Sequence, residues 1–151
     1  MECHHHSNAH RLLHLMDQMR HRQRSPVMGQ IADLNLSFSH MRVLRLLAPA
    51  NELAMKDLAE QLQLTPPSLT ALTRRLVQSG MVERRPHHED SRIVLLRLSE
   101  AGRDLHRRLY EEHVQRMQDL LAALSDEEQE LFLDLLDRAV RALDDYEPVT
   151  G

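Results

Sequence analysis

The sequence predicts a mainly α-helical chain with a single small β-hairpin. Three observations carry that expectation. Hydrophobic residues make up 42% of 151 residues but aromatic ones only 3%, with eight Met, so the core is expected to be aliphatic and built from helices. Apolar residues recur at three- and four-residue spacing over most of the chain. Only Met81 to Leu98 offers two extended runs around a polar loop.

In residues 7–24, Leu12, Leu13, Leu15, Met16 and Met19 give a first helix one apolar stripe, and Ser25-Pro26 breaks it. A second helix is predicted from Leu36 to Ala48, with Ser37 or Ser39 as cap, Met41, Leu44 and Leu47 facing inward, and Pro49 as its stop. After the loop Pro49 to Glu52, two compact helices follow, Met55 to Gln61 and Pro66 to Ser79, joined by Gln63-Leu64-Thr65. Thr65 suits an N-cap, Pro66 the first helical position, and Gly80 the end.

Met81 to Arg85 and Ile93 to Leu98 are expected to pair around Pro86 to Arg92, and a two-stranded hairpin must lean on helices to be stable. Ser99-Glu100 opens a long helix to about Leu124. Ser125-x-x-Glu128 has the capping-box form and starts a last helix to about Tyr146.

The net charge of −4 conceals a division along the chain. Residues 65–98 carry six basic and three acidic groups, whereas residues 99–151 carry six and fourteen, so a polyanion would be tolerated in the middle. The single Cys3 excludes an internal disulfide and fits a reducing cytoplasm. No apolar run of membrane length is present, and a membrane partner is not expected. The chain has no glycine-rich phosphate loop, His-Glu-x-x-His helix or nucleophile elbow, which argues against an enzyme.

A short helix, a three-residue turn, a second helix and a hairpin outline a winged helix-turn-helix. In the second of these helices Leu69, Leu72 and Leu76 fall on one side, while Pro67, Ser68, Thr70, Ala71, Arg74 and Arg75 occupy the other. Small residues let a backbone approach a major groove, and Arg reaches guanine edges or phosphates, so this face fits double-stranded DNA, although taken alone it fits an ordinary amphipathic helix with a solvated basic face at least as well. An Arg at a loop tip, here Arg92, can enter a narrow minor groove where shape is read. The Leu-rich last third, with Leu120, Leu121, Leu131, Leu135, Leu136 and Leu143, exceeds what one sheltered face needs and points to a partner surface.

Leu58 to Arg84 (LAEQLQLTPPSLTALTRRLVQSGMVER) and Asp90 to Gly102 (DSRIVLLRLSEAG) resemble the MarR family of winged-helix transcription factors over roughly residues 10–146. The resemblance implies one domain over residues 1–151, with a DNA-binding lobe at 36–98 and dimerisation helices at 10–35 and 99–146. It implies a homodimeric repressor on a pseudo-palindromic operator, with half-sites about one DNA turn apart. Ser68, Thr70, Arg74 and Arg75 then take major-groove and phosphate roles, together with Pro67. Arg92 takes the minor groove, Asp90 steers local arginines, and His88 neighbours a phosphate.

Eleven histidines raise a metal question. Cys3, His4, His5, His6, His10, His14 and His21 lie in the first segment, and His6, His10 and His14 recur every four residues. Cys3 in a terminal position gives no basis for a lowered-pKa sensing thiol. His40 and His113 resemble ligand positions of the family's zinc-responsive branch, with His21 as a replacement ligand. That branch places two histidines four residues apart on the long helix, whereas here Leu109 precedes His113, and His106 lies a heptad away. The resemblance favours a small organic effector in an apolar cleft over zinc. A zinc-responsive sensor whose winged helix meets proteins is the alternative.

Overall fold

The computed structural model describes residues 2–21 and 25–144, with the side chains of 7–20 and 25–143. Among the described residues, seven helices and three strands follow in the order α1 (Glu2–His21), α2 (Pro26–Asp33), α3 (Phe38–Leu47), β1 (Leu53–Ala54), α4 (Met55–Leu62), α5 (Pro66–Gln78), β2 (Val82–Pro86), β3 (Val94–Leu98), α6 (Glu100–Leu121) and α7 (Asp126–Asp144). The mainly helical expectation holds. Two elements are additional: α2 and β1. Tyr146, where the last helix was expected to end, lies outside the described residues.

α2 follows the Ser25-Pro26 break directly. The Ser25 hydroxyl accepts the Met28 amide hydrogen at 3.0 Å, and Pro26 occupies the first turn, where no amide hydrogen is needed. Val27 and Ile31, one turn apart, are buried. α3 is capped by Ser37, whose amide donates to His40 Nδ1 at 2.9 Å. The turn after α4 is closed by Gln63 in the left-handed region (φ 54°), with the Leu64 amide returning to the Ala59 carbonyl at 3.0 Å. Thr65 caps α5 as expected, and Gly80 ends it with φ 74°, while the Met81 amide bonds the Leu76 carbonyl.

The sheet has the order β1-β3-β2 and is antiparallel throughout. Leu96 stands opposite Leu53 on one side and Arg84 on the other. Its side chain and that of Leu98 meet the core, which takes Val43, Leu44 and Leu47 from α3, Leu58 and Leu62 from α4, Leu69 and Leu76 from α5, and Leu105 from α6. Each fully buried leucine contributes about 1.5–3 kcal/mol, so the helix-turn-helix and the hairpin stabilise one another.

At the start of α6 the Ser99 amide donates to the Met81 carbonyl at 3.0 Å and the Ser99 hydroxyl donates to the Gly80 carbonyl. The Gly102 amide in turn donates to Ser99 Oγ at 3.0 Å. Gly102 is buried against this junction, where a Cβ would lie 3.0 Å from the Met81 carbonyl carbon and closer still to its oxygen.

The chain divides into two compact units, Met1–Leu109 and Tyr110–Gly151. The second contains the end of α6 and α7, joined at Ser125, where the Ser125 amide meets Glu128 Oε2 and the Glu128 amide meets Ser125 Oγ, the reciprocal capping box expected from the sequence.

Candidate nucleic-acid interface

α5 buries Leu69, Thr73 and Leu76 and leaves Pro67, Ser68, Ala71 and Arg74 exposed. Pro67, Ala71 and Arg74 recur at four and three residues and therefore share one face. Thr73 is 0% exposed although polar; its hydroxyl donates to the Thr70 carbonyl at 3.2 Å, so burial leaves no unpaired donor. Ser68 and Thr70 bond locally, Ser68 Oγ to Thr65 Oγ1 at 2.8 Å and Thr70 Oγ1 to the Pro66 carbonyl at 2.9 Å.

Arg75 departs from the sequence expectation. It is half-buried, and its guanidinium donates to the Leu34 carbonyl at the end of α2, 2.6 Å away. A helix C-terminus presents unpaired carbonyls and a partial negative charge, which attract a cation. Arg75 is therefore a brace between α5 and α2, while Arg74 is exposed on the outer face.

The loop between β2 and β3 is folded by local bonds. Asp90 Oδ1 accepts the Arg92 amide hydrogen at 2.9 Å, and the Asp90 carbonyl accepts that of Ile93 at 3.0 Å. Asp90 thus acts on Arg92 through its backbone, setting the turn from which the exposed guanidinium projects. His87 Nδ1 accepts the Glu89 amide hydrogen at 3.2 Å, and its ring stacks on that of His88 with centroids 4.5 Å apart. His88 Nε2 lies 3.6 Å from Glu89 Oε1.

Between α4, the N-terminal half of α5, β2 and this loop lies a cavity of about 740 Å³. Thr70 and Arg92, from separate elements, share its wall with Lys56, Glu60 and Arg84, and Leu64, Leu69, Ile93 and Val94 supply an apolar lining. Lys56 and Arg84 were not singled out by the sequence. Arg84 lies two residues from the buried Val82 on β2 and so on the same strand face, where alternation predicts burial, and Lys56 carried no signal beyond its charge.

His40 and His113 belong to the first and second units respectively, and the His21 side chain lies outside the described residues. His40 uses Nδ1 to accept the Ser37 amide hydrogen, which leaves Nε2 as its other coordinating nitrogen. Burial, reinforced by the Arg75 guanidinium, holds its pKa below the usual imidazole value; burial and Arg45 do the same for His106. Among the described residues no group of three or more His, Cys, Asp or Glu is placed to hold a metal ion, and no helix is long and apolar enough to cross a membrane.

Residues 36–94 match the family model described as the MarR family. FarR of Neisseria gonorrhoeae, an HTH-type transcriptional regulator, is 34% identical over 122 residues, which are 81% of this chain and 78% of that protein. YdgJ of Bacillus subtilis, an uncharacterized HTH-type transcriptional regulator, is 35% identical over 103 residues, 68% of this chain but only 63% of that relative's length. Among solved structures, FabT of Streptococcus pneumoniae in complex with DNA superposes with a TM-score of 0.71 at 19% identity, covering 92% of this chain and 99% of FabT. NadR in complex with 4-hydroxyphenylacetate has a TM-score of 0.56 at 31% identity, covering 88% and 89%.

Proposed function

This chain belongs to the MarR family of DNA-binding transcriptional regulators, and from that premise we propose that it acts in the cytoplasm as a homodimeric repressor on a pseudo-palindromic operator, released by a small organic effector. The observation that carries the reading is that the N-terminal half of α5 and the Arg92 loop border one cleft, with Pro66, Thr70 and Arg92 sharing its wall. Pro67 and Ser68 are small enough for the α5 backbone to approach a major groove, and Thr70 stands on the cleft side. Arg74 reaches base edges or phosphate, and Arg92, presented by the Asp90 turn, enters the minor groove. His88 serves as a phosphate neighbour, and Lys56 and Arg84 extend the cationic wall.

Self-association is supported by the apolar side chains left uncovered on the terminal helices: Leu12 is 59% exposed, Leu131 59% and Leu143 72%. Burying such a surface would set two α5 helices at one fixed spacing, which is what a two-fold operator requires. The cavity supports release, because an apolar ligand with an anionic group would fit its lining and cations and would occupy ground that DNA needs. NadR, seen with 4-hydroxyphenylacetate, is a relative with a ligand of that kind.

The test is binding to DNA from the region upstream of its own gene, measured by fluorescence anisotropy across a salt series. Arg92→Ala should weaken binding by about 1–3 kcal/mol and flatten the log–log salt slope by about one if it sits against phosphates. A folded Arg92→Ala protein with unchanged affinity would remove the wing from the proposed interface.

A further inference from the structure

DNA binding leaves the histidine row of α1 unused. At about 100° per residue, positions 10, 14 and 17 fall in one narrow sector of the helix, and Leu12, Leu15, Met16 and Met19 fall in the opposite one. His10 and His14 are exposed and one turn apart, which sets their Cβ atoms about 5–6 Å from each other. Two imidazole nitrogens can reach one ion across that gap at about 2.0–2.1 Å each. Asp17, the next residue in the row, pairs with Arg20 at 3.6 Å. Positions 6 and 21 prolong the spacing, with side chains outside the described residues.

We propose that α1 binds a divalent transition-metal ion of the imidazole-seeking class, Zn²⁺ or Ni²⁺, through His10 and His14, with water completing the coordination. The site does not depend on the DNA-binding reading. It stays in solvent when the apolar face of α1 is covered, because the two faces are opposed. An ion held across successive turns restrains both in the helical state, and nucleating turns is the costly step in forming a helix. Metal therefore stabilises α1, and any assembly that uses its apolar face follows.

The experiment titrates Zn²⁺, and separately Ni²⁺, into the full-length protein by calorimetry, in a background where His4, His5, His6 and His21 are replaced by Asn. The background protein should still bind about one ion per chain and melt at a higher temperature when loaded. Adding His14→Asn should weaken that binding at least about tenfold and remove the thermal shift, with the far-UV spectrum of the metal-free protein unchanged; His10→Asn should do the same. Loss of all binding in the background protein would place the metal on the replaced histidines, and unchanged affinity after His14→Asn would refute the chelate. Either result overturns the proposal.

Discussion

Replacing Gly102 by Ala should destabilise the protein even though alanine is the better helix former. The new methyl would stand 3.0 Å from the Met81 carbonyl carbon and closer still to its oxygen, inside any ordinary van der Waals distance. That oxygen belongs to rigid backbone and already accepts the Ser99 amide hydrogen at 3.0 Å, so relief requires α6 to move off the β2 junction. Overpacking of this kind costs about 1–3 kcal/mol. Stretching the Ser99 bonds to Met81 and Gly80 adds about 0.5–1.5 kcal/mol for each bond lost. Alanine returns about 1 kcal/mol of helix propensity.

The net loss is therefore about 1–5 kcal/mol, or a fall of roughly 2–20 °C in Tm for a chain of this size. The internal control is Gly29→Ala in α2, where a Cβ meets nothing within 4 Å, so propensity acts alone and Tm should rise by a few degrees. Thermal melts at one protein concentration decide the matter. If Gly102→Ala melts at or above the parent temperature, the close approach of α6 to Met81 is wrong.

Three further outcomes are expected. Arg75→Ala should cost about 1.5–3 kcal/mol in denaturant unfolding, because a charged donor leaves the Leu34 carbonyl; Arg74→Ala should leave stability alone and weaken DNA binding by about 1–3 kcal/mol in the anisotropy assay. With His40 and His106 both held below the imidazole value of 6.5, the unfolded chain binds more protons. Their contribution is complete above about pH 6.5 and is lost as pH falls through the lowered folded values, and His40→Gln, which keeps an acceptor for the Ser37 amide, should flatten that decline in urea titrations without removing it, since His106 still titrates. Leu135→Glu, at a site 46% exposed in the single chain, should convert a dimer to a helical monomer by light scattering; an unchanged mass would exclude α7 from the interface.

What was legible in the sequence was what short spans of chain determine. Thr65, Pro66 and Gly80 mark the two ends of α5 because capping is a matter of two or three neighbouring residues, and the structure keeps all three in those roles. α2 escaped notice because Ser25-Pro26, read as a break, is equally a helix start, and only Val27 and Ile31 show its inward face. β1 is two residues long, too short for alternation, and exists because β3 has a second edge to pair. Thr73 gave no sign of burial because its hydroxyl is satisfied inside its own helix.

The candidate interface divides along the same line. Asp90 holds Arg92 through a bond spanning two residues, so the geometry of the loop is present in the local sequence. The brace from Arg75 to Leu34 spans 41 residues, and the shared wall of Lys56, Thr70, Arg84 and Arg92 joins α4, α5, β2 and the loop. Helical spacing alone puts Arg74 and Arg75 on the same polar side of α5; only the position of the α2 terminus separates them. A cation one position further along the same helix becomes structural as soon as a carbonyl end lies within its reach. The proposed outward role is then left to Arg74, which finds no such partner among the described residues, and the paired Arg74 and Arg75 substitutions measure that division directly.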